Sequence, residues 1–148
     1  MNEIIKFLNE NSPFYLATMD GDLPKVRPFG FVMEFDGKLC FCTNNKKKVF
    51  QQMQVNPNIE ICTTSKTMES LRLKGKAVPF TSKESRQAAL DAEPFLKNMY
   101  SVDDSIFEIL YIENAEATIS DMKGASSPPD FALSKSKSPS AERVSMPG

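Results

Sequence analysis

A small closed β-barrel with a few short helices is the fold class the sequence predicts, and three observations predict it. Six apolar segments of strand length, several strictly alternating, follow one another with turn residues between them. Asp36-Gly37, the strongest hairpin signal in the chain, joins two of them directly, as antiparallel neighbours are joined. The helix-period segments are too short and too few to cover both faces of a parallel sheet. No internal repeat is present.

The elements follow in order. Residues 2–10 place Ile4, Phe7 and Leu8 at i, i+3 and i+4, one face of a short amphipathic helix that Ser12-Pro13 ends. Residues 14–19 (FYLATM) are a strand, and Asp20-Gly21-Asp22 a turn. Residues 25–35 (KVRPFGFVMEF) read as one longer strand with Pro28 and Gly30 inside it, and residues 38–43 (KLCFCT) return across the hairpin. Asn44 and Asn45 break that strand and can cap a helix over 46–54, whose Val49, Phe50 and Met53 share a side before Asn56-Pro57 stops it. Ile59, Ile61 and Thr63 alternate in the next strand, and Leu71, Leu73 and Gly75 alternate with Arg72, Lys74 and Lys76 in the one after. Thr81-Ser82-Lys83-Glu84 has the pattern of a capping box ahead of a helix to about Ala92. An irregular stretch, EPFLKNMYSVDD, leads to a last strand over about 106–120. Most of the eight Met and eleven Phe belong to the core.

Composition excludes several classes of function. At 148 residues the chain suits one domain able to bury a core without staples. With 18 Lys+Arg against 19 Asp+Glu there is no basic excess, so general nucleic-acid binding is not expected. No apolar run approaches the roughly 18–20 residues of a membrane span. The opening MNEIIKFLNE carries charges among its apolar residues and is not a signal peptide, so a cytoplasmic location is expected. The absence of His removes the Ser-His-Asp triad, the Cys-His pair, the imidazole haem ligand and the HExxH zinc site. Hard chemistry would then fall to a cofactor. Cys40, Cys42 and Cys62 are expected to be reduced, packed thiols, and no metal site is expected of them.

The composition shifts at Gly124. Residues 124–148 hold seven Ser and four Pro, a Ser/Pro-rich tail after a domain over 1–123, with Phe131 and Leu133 as candidates to dock it on the barrel or on a partner subunit.

Residues 26–48 carry the candidate chemistry. Thr43, the amides that follow it, and Lys46, Lys47 and Lys48 at a helix start make an anion site, with the helix dipole adding positive charge. Arg27 across the hairpin adds a planar fork suited to phosphate. The same residues also read as a solvated basic helix start, although lysine is unfavourable beside the positive end of a helix dipole. Pro28 and Gly30 read either as a barrel-corner bulge or as a place where a flat ligand lies against the strand. Arg72, Lys74 and Lys76 read as a solvated sheet face or as part of a site shared between subunits.

In FYLATMDGDLPKVRPFGF, with its P-x-V-R entry, followed by DGKLCFCTNNKKKVFQQMQVNPNIEI, the chain resembles the pyridoxamine-5′-phosphate-oxidase-like superfamily of FMN-binding split barrels, over roughly residues 3–120. In length and layout it is similar to the short, Nim-like (nitroimidazole reductase) branch. The resemblance implies a homodimer with FMN at the subunit interface, acting as an oxidoreductase on a small-molecule redox substrate. It implies that Arg27, Pro28, Phe29 and Gly30 follow the cofactor, that Thr43 lies at the strand end, and that Lys47 and Lys48 hold the phosphate. It also implies a polar contact to the flavin from Ser70. A deazaflavin, F420, is a chemical variant of the same expectation. Val32 stands where the true oxidase has a lysine, and the oxidase's C-terminal Arg and His have no counterpart, so vitamin B6 oxidation is not expected. Two other readings remain: a flavin-binding or redox-sensing module without turnover, and a flavin-free barrel that binds another anionic ligand.

Overall fold

The computed structural model describes residues 1–127. The expectation for Phe131 and Leu133 lies outside the described residues. The elements are α1 (Asn2–Glu10), β1 (Phe14–Asp20), β2 (Leu23–Phe29), β3 (Met33–Phe35), β4 (Lys38–Asn44), α2 (Lys48–Val55), β5 (Asn58–Thr64), β6 (Ser70–Pro79), α3 (Lys83–Ala92), a 3-10 helix at Pro94–Asn98, β7 (Phe107–Ser120) and β8 (Ser126–Ser127). Every strand pairing is antiparallel, in the order β2-β1-β5-β6-β7-β4-β3, with β8 added on β7. This is a mainly β split barrel with three α-helices.

Residues 25–35 are not one strand. β2 ends at Phe29 and β3 starts at Met33, and the two lie at opposite edges of the sheet. Pro28 cannot donate to a ladder, which suits an edge strand paired only with β1. Residues 30–32 bridge the two edges, and among the described residues no ladder joins β2 to β3. Side chains close the gap: the Phe29 ring lies 6.3 Å from Phe14 and 5.8 Å from Phe41. Asp36 and Gly37 make the hairpin as expected, both with positive φ (55° and 72°), which a primed turn requires.

Two apolar clusters hold the sheet. Inside the barrel, Leu16, Leu39, Phe41, Ile61, Leu71 and Leu73 pack with Ile4 and Leu8 of α1 and with Val49, Phe50 and Met53 of α2. On the outside of β4 and β7, Cys40, Phe107 and Ile109 are covered by Ala89 and Leu90 of α3 and by Leu96. β4 is therefore buried on both faces, which is why KLCFCT is apolar throughout its middle rather than alternating.

Two caps differ from expectation. α2 begins at Lys48 with Lys47 in the N-cap position, and neither Asn44 nor Asn45 caps it. Asn45 instead ties the loop to β7: its amide donates to Ile106 O (2.9 Å) and its side chain to Glu108 Oε2 (2.7 Å). The capping box of α3 is Ser82 with Ser85, each hydroxyl accepting from the other's backbone N–H. Thr81 is drawn away to β7, donating to Glu108 Oε1 at 2.7 Å. After β7, Asp121 N donates to Ala125 O, Ser126 pairs with Ser120, and Gly124 lies inside this small hairpin.

Candidate functional site

A cavity of about 730 Å³ opens where β2 leaves the sheet and α2 begins, within the ~300–1,000 Å³ usual for small-molecule sites. Its first wall is Arg27, Pro28, Phe29, Gly30 and Phe31; its second is Cys42, Thr43, Lys47, Lys48 and Val49; its third is Glu93, Phe95, Leu96, Met99 and Tyr100.

The second wall is cationic and rich in donors. Lys47 stands at the N-cap of α2, where a side-chain acceptor is usual, and a lysine can only donate there. The amides of Lys48 and Val49 precede the first helical hydrogen bonds, in which Phe50 and Gln51 donate to Lys47 O. Beside them Thr43 is 5% exposed, and its hydroxyl has no hydrogen-bond partner. Leaving a buried hydroxyl unpaired costs ~1–3 kcal/mol. An unpaired hydroxyl, free amides, two ammonium groups and a helix N-terminus at one place fit an anion. The loop that presents them is held in advance by Asn45 on β7 and by Asn44, whose Oδ1 accepts from Lys46 N (3.1 Å).

The first wall brings a guanidinium beside an apolar strip. Arg27 donates from Nη1 to Thr18 Oγ1 (2.6 Å) and from Nη2 to Gln52 Oε1 (2.8 Å). Burial lowers its pKa from the ordinary value, so its charge is less well solvated than a surface arginine's. A Cβ built on Gly30 meets nothing within 4 Å, and Gly30 itself lines the cavity. Cys42 also lines the cavity; burial pushes its thiol up to about 12, against the pull of Lys47. It is therefore protonated and unreactive at neutral pH.

The third wall is apolar and firmly seated. Leu96 is buried, and the Tyr100 ring stacks on Phe107 at 4.4 Å while its hydroxyl accepts from Asn44 Nδ2 (2.9 Å). Phe95 and Met99, on the same turn, stay 64% and 52% exposed. Large apolar side chains exposed together beside a cavity mark a binding surface more often than a core defect.

Of the residues singled out in the sequence, Arg27, Pro28, Phe29, Gly30, Thr43, Lys47 and Lys48 converge on this cavity. Lys46 is outside its lining, and so is Ser70, whose hydroxyl lies 3.1 Å from that of Thr64 at the start of β6. The third wall has no signal in the sequence. EPFLKNMY has neither strand nor helix period, and only the tertiary packing of Leu96 and Tyr100 brings it over β4. Arg72 pairs with Glu60 at 3.3 Å on the outer sheet face, away from the cavity. Among the described residues no cluster of His, Cys, Asp or Glu could hold a metal, and no helix is long and apolar enough to cross a membrane.

Comparison with known proteins agrees with this architecture. Residues 1–119 match the family model described as pyridoxamine 5′-phosphate oxidase. The crystal structure of a NimC/NimA family protein from Clostridium acetobutylicum is 47% identical with a TM-score of 0.82, over 86% of this chain and 89% of that one. General Stress Protein 26 from Bacillus anthracis shares the fold at 18% identity (TM-score 0.66; 86% and 97% covered). A FAD-binding protein from Mesorhizobium loti does so at 17% (TM-score 0.59; 81% and 94% covered). No curated protein matches. In sequence over most of its length, and in fold, the chain belongs to the pyridoxamine 5′-phosphate oxidase-like superfamily, in its NimC/NimA branch.

Proposed function

We propose that the chain is a flavoprotein that binds FMN in this cavity and works as an oxidoreductase on a small apolar substrate. The observation that carries the reading is the buried, unpaired Thr43 hydroxyl beside the uncapped start of α2, where Lys47 and Lys48 stand. Such a set asks for a ligand with a compact polyanionic end, as a phosphate monoester has. The rest of the cavity supports a flat, largely apolar body: Pro28, Phe29 and Gly30 offer a strip without bulky polar groups, and Phe95 and Met99 offer an apolar lip on the other side.

Bound there, a flavin would supply hydride or single-electron transfer. The chain's own part is binding and orientation. Lys47, Lys48 and the amides of α2 neutralise and fix the anionic end, Thr43 donates to it, and Arg27 adds charge from β2. The Cys42 thiol is held protonated by burial, and the chain has no His. A homodimer with the cofactor at its interface is part of the proposal; Ser70, for which the resemblance implies a contact from the neighbouring strand, lies outside the cavity of the single chain.

The test is the absorbance spectrum of the purified protein, followed by chromatography of what heat releases. A flavin band with FMN in the supernatant is the expected result. A deazaflavin spectrum would replace the cofactor while keeping the site. A colourless protein that takes up no added FMN would overturn the reading. Bound FMN that neither nicotinamide donor reduces, with no acceptor found, would instead identify a flavin-binding module without turnover.

A further inference from the structure

Arg27 does not stand alone in the cavity wall. Thr18 of β1 is 2% exposed, and its hydroxyl donates to Gln52 Oε1 at 2.6 Å while accepting from Arg27 Nη1 at 2.6 Å. Gln52 of α2 takes a second hydrogen bond on the same oxygen, from Arg27 Nη2 at 2.8 Å. The three side chains form a closed triangle, with a long contact of 3.5 Å from Nη1 to Lys25 O outside it. Turning the Gln52 amide over would set its NH₂ against two donors, so the network itself orients the amide.

A guanidinium has five N–H donors in a rigid plane. Here one proton of each terminal nitrogen is used on Thr18 and Gln52, so the fork between the two Nη atoms faces away from any ligand. With Nη1 also directed to Lys25 O, the Nε–H and the second Nη2 proton are the donors left for a ligand, and the plane of the group is set before a ligand arrives. A long side chain held in this way loses little further freedom on binding, which is how preorganisation raises affinity. Neither Thr18 nor Gln52 lines the cavity, so contact with a ligand would not reveal them.

We propose that Gln52, braced by Thr18, is a positioning residue that fixes the Arg27 guanidinium for the phosphate of the ligand, and so sets the preference for phosphorylated over unphosphorylated flavin. The proposal rests on the flavin reading above and adds to it a determinant of specificity on α2. The competing role for the triangle is structural, a tie of α2 to β1 and β2.

The experiment is titration of the flavin-free protein with FMN and with riboflavin, followed by quenching of flavin fluorescence, for the wild type, Gln52→Met, Arg27→Met and the double variant. Gln52→Met is expected to weaken FMN about tenfold and riboflavin less than about twofold, and to add nothing once Arg27 is Met. Thr18→Val removes the brace from Gln52 and Arg27 without adding a charge, so it should weaken FMN in the same direction by a smaller factor while leaving riboflavin alone. Should Gln52→Met fold poorly, Thr18→Val decides, because a purely structural tie would weaken FMN and riboflavin alike. Equal losses for both flavins, or additive losses in the double variant, would overturn the positioning role. A wild type that binds riboflavin as tightly as FMN would overturn the phosphate reading itself, and the proposal with it.

Discussion

The seam between β6 and β7 and the wall formed by β2, β4 and α2 each carry a glycine, within β6 at the seam and just after β2 at the wall, and they are finished to different degrees. At the seam the register shifts between Lys74 and Lys76, and a Cβ on Gly75 would lie 2.6 Å from Ile112 Cγ2 and 2.7 Å from Glu113 O. Glycine is needed there because protein already fills the space. At the wall, Gly30 has no neighbour within 4 Å of its Cβ direction, Thr43 has a buried hydroxyl with no partner, and α2 starts with a lysine for a cap. The seam is filled by protein, whereas the wall leaves a buried hydroxyl unpaired at the edge of a cavity. Among the described residues Thr43 Oγ1 is the one buried side-chain polar atom without a partner, and its place beside a cavity indicates where binding free energy is available.

Variants on each side should separate stability from binding. The largest effect is expected for Lys47→Glu with Lys48→Glu, which reverses two charges at the N-terminus of α2. FMN affinity should fall at least tenfold, since one charge-assisted contact is worth about 1.5–3 kcal/mol. Riboflavin affinity and the melting temperature should change little; equal losses for both flavins in a fluorescence titration would refute the phosphate role. Next comes Gly75→Ala, which forces backbone and Ile112 apart at the seam and should cost about 1–3 kcal/mol in urea unfolding, with the FMN-to-riboflavin preference intact. A preference that moved with it would mean that the two regions are coupled.

Smaller again is Thr43→Val. Removing an unpaired hydroxyl should leave the flavin-free protein as stable or slightly more so, while FMN binding weakens by roughly threefold to tenfold. A clear loss of stability without ligand would show that the hydroxyl has a structural partner.

The smallest effect at neutral pH concerns the thiols. Burial raises both Cys40 and Cys42 from 9.0 to about 12, and Tyr111 is raised as well. An acid whose folded pKa is raised contributes stability that is intact below the unfolded value and lost as pH climbs toward the folded one. Urea midpoints should therefore be level up to about pH 9 and fall above it, and less steeply when Cys40 and Cys42 are both Ala. A double-Ala variant with the wild-type slope would assign the loss to other groups.

Local signals were legible where one residue type has one physical use. The Asp36-Gly37 turn, the alternation of β5 and β6 and the apolar faces of α1 and α2 were all readable, because backbone sterics and period decide them within a few residues. The break after Phe29 was not readable as the point where the chain crosses from one sheet edge to the other, since Pro28 and Gly30 mark a disturbance without giving its direction. The caps failed for a related reason. Asn45 and Thr81 are good cap residues, but the Glu108 carboxylate of β7 and the Ser105 carbonyl just before it offered better partners from far along the chain.

The sequence by itself determined most of the strand and turn order, the absence of imidazole chemistry and the nearness of Thr43, Lys47 and Lys48 at one strand-to-helix turn, because these depend on composition and on short-range geometry. Only the tertiary structure decided that Phe95, Met99 and Tyr100 face those residues, that Thr43 is buried without a partner, and that Gln52 and Thr18 hold Arg27. Each of these depends on which distant segment packs against which, and no period or spacing along a single chain records that choice.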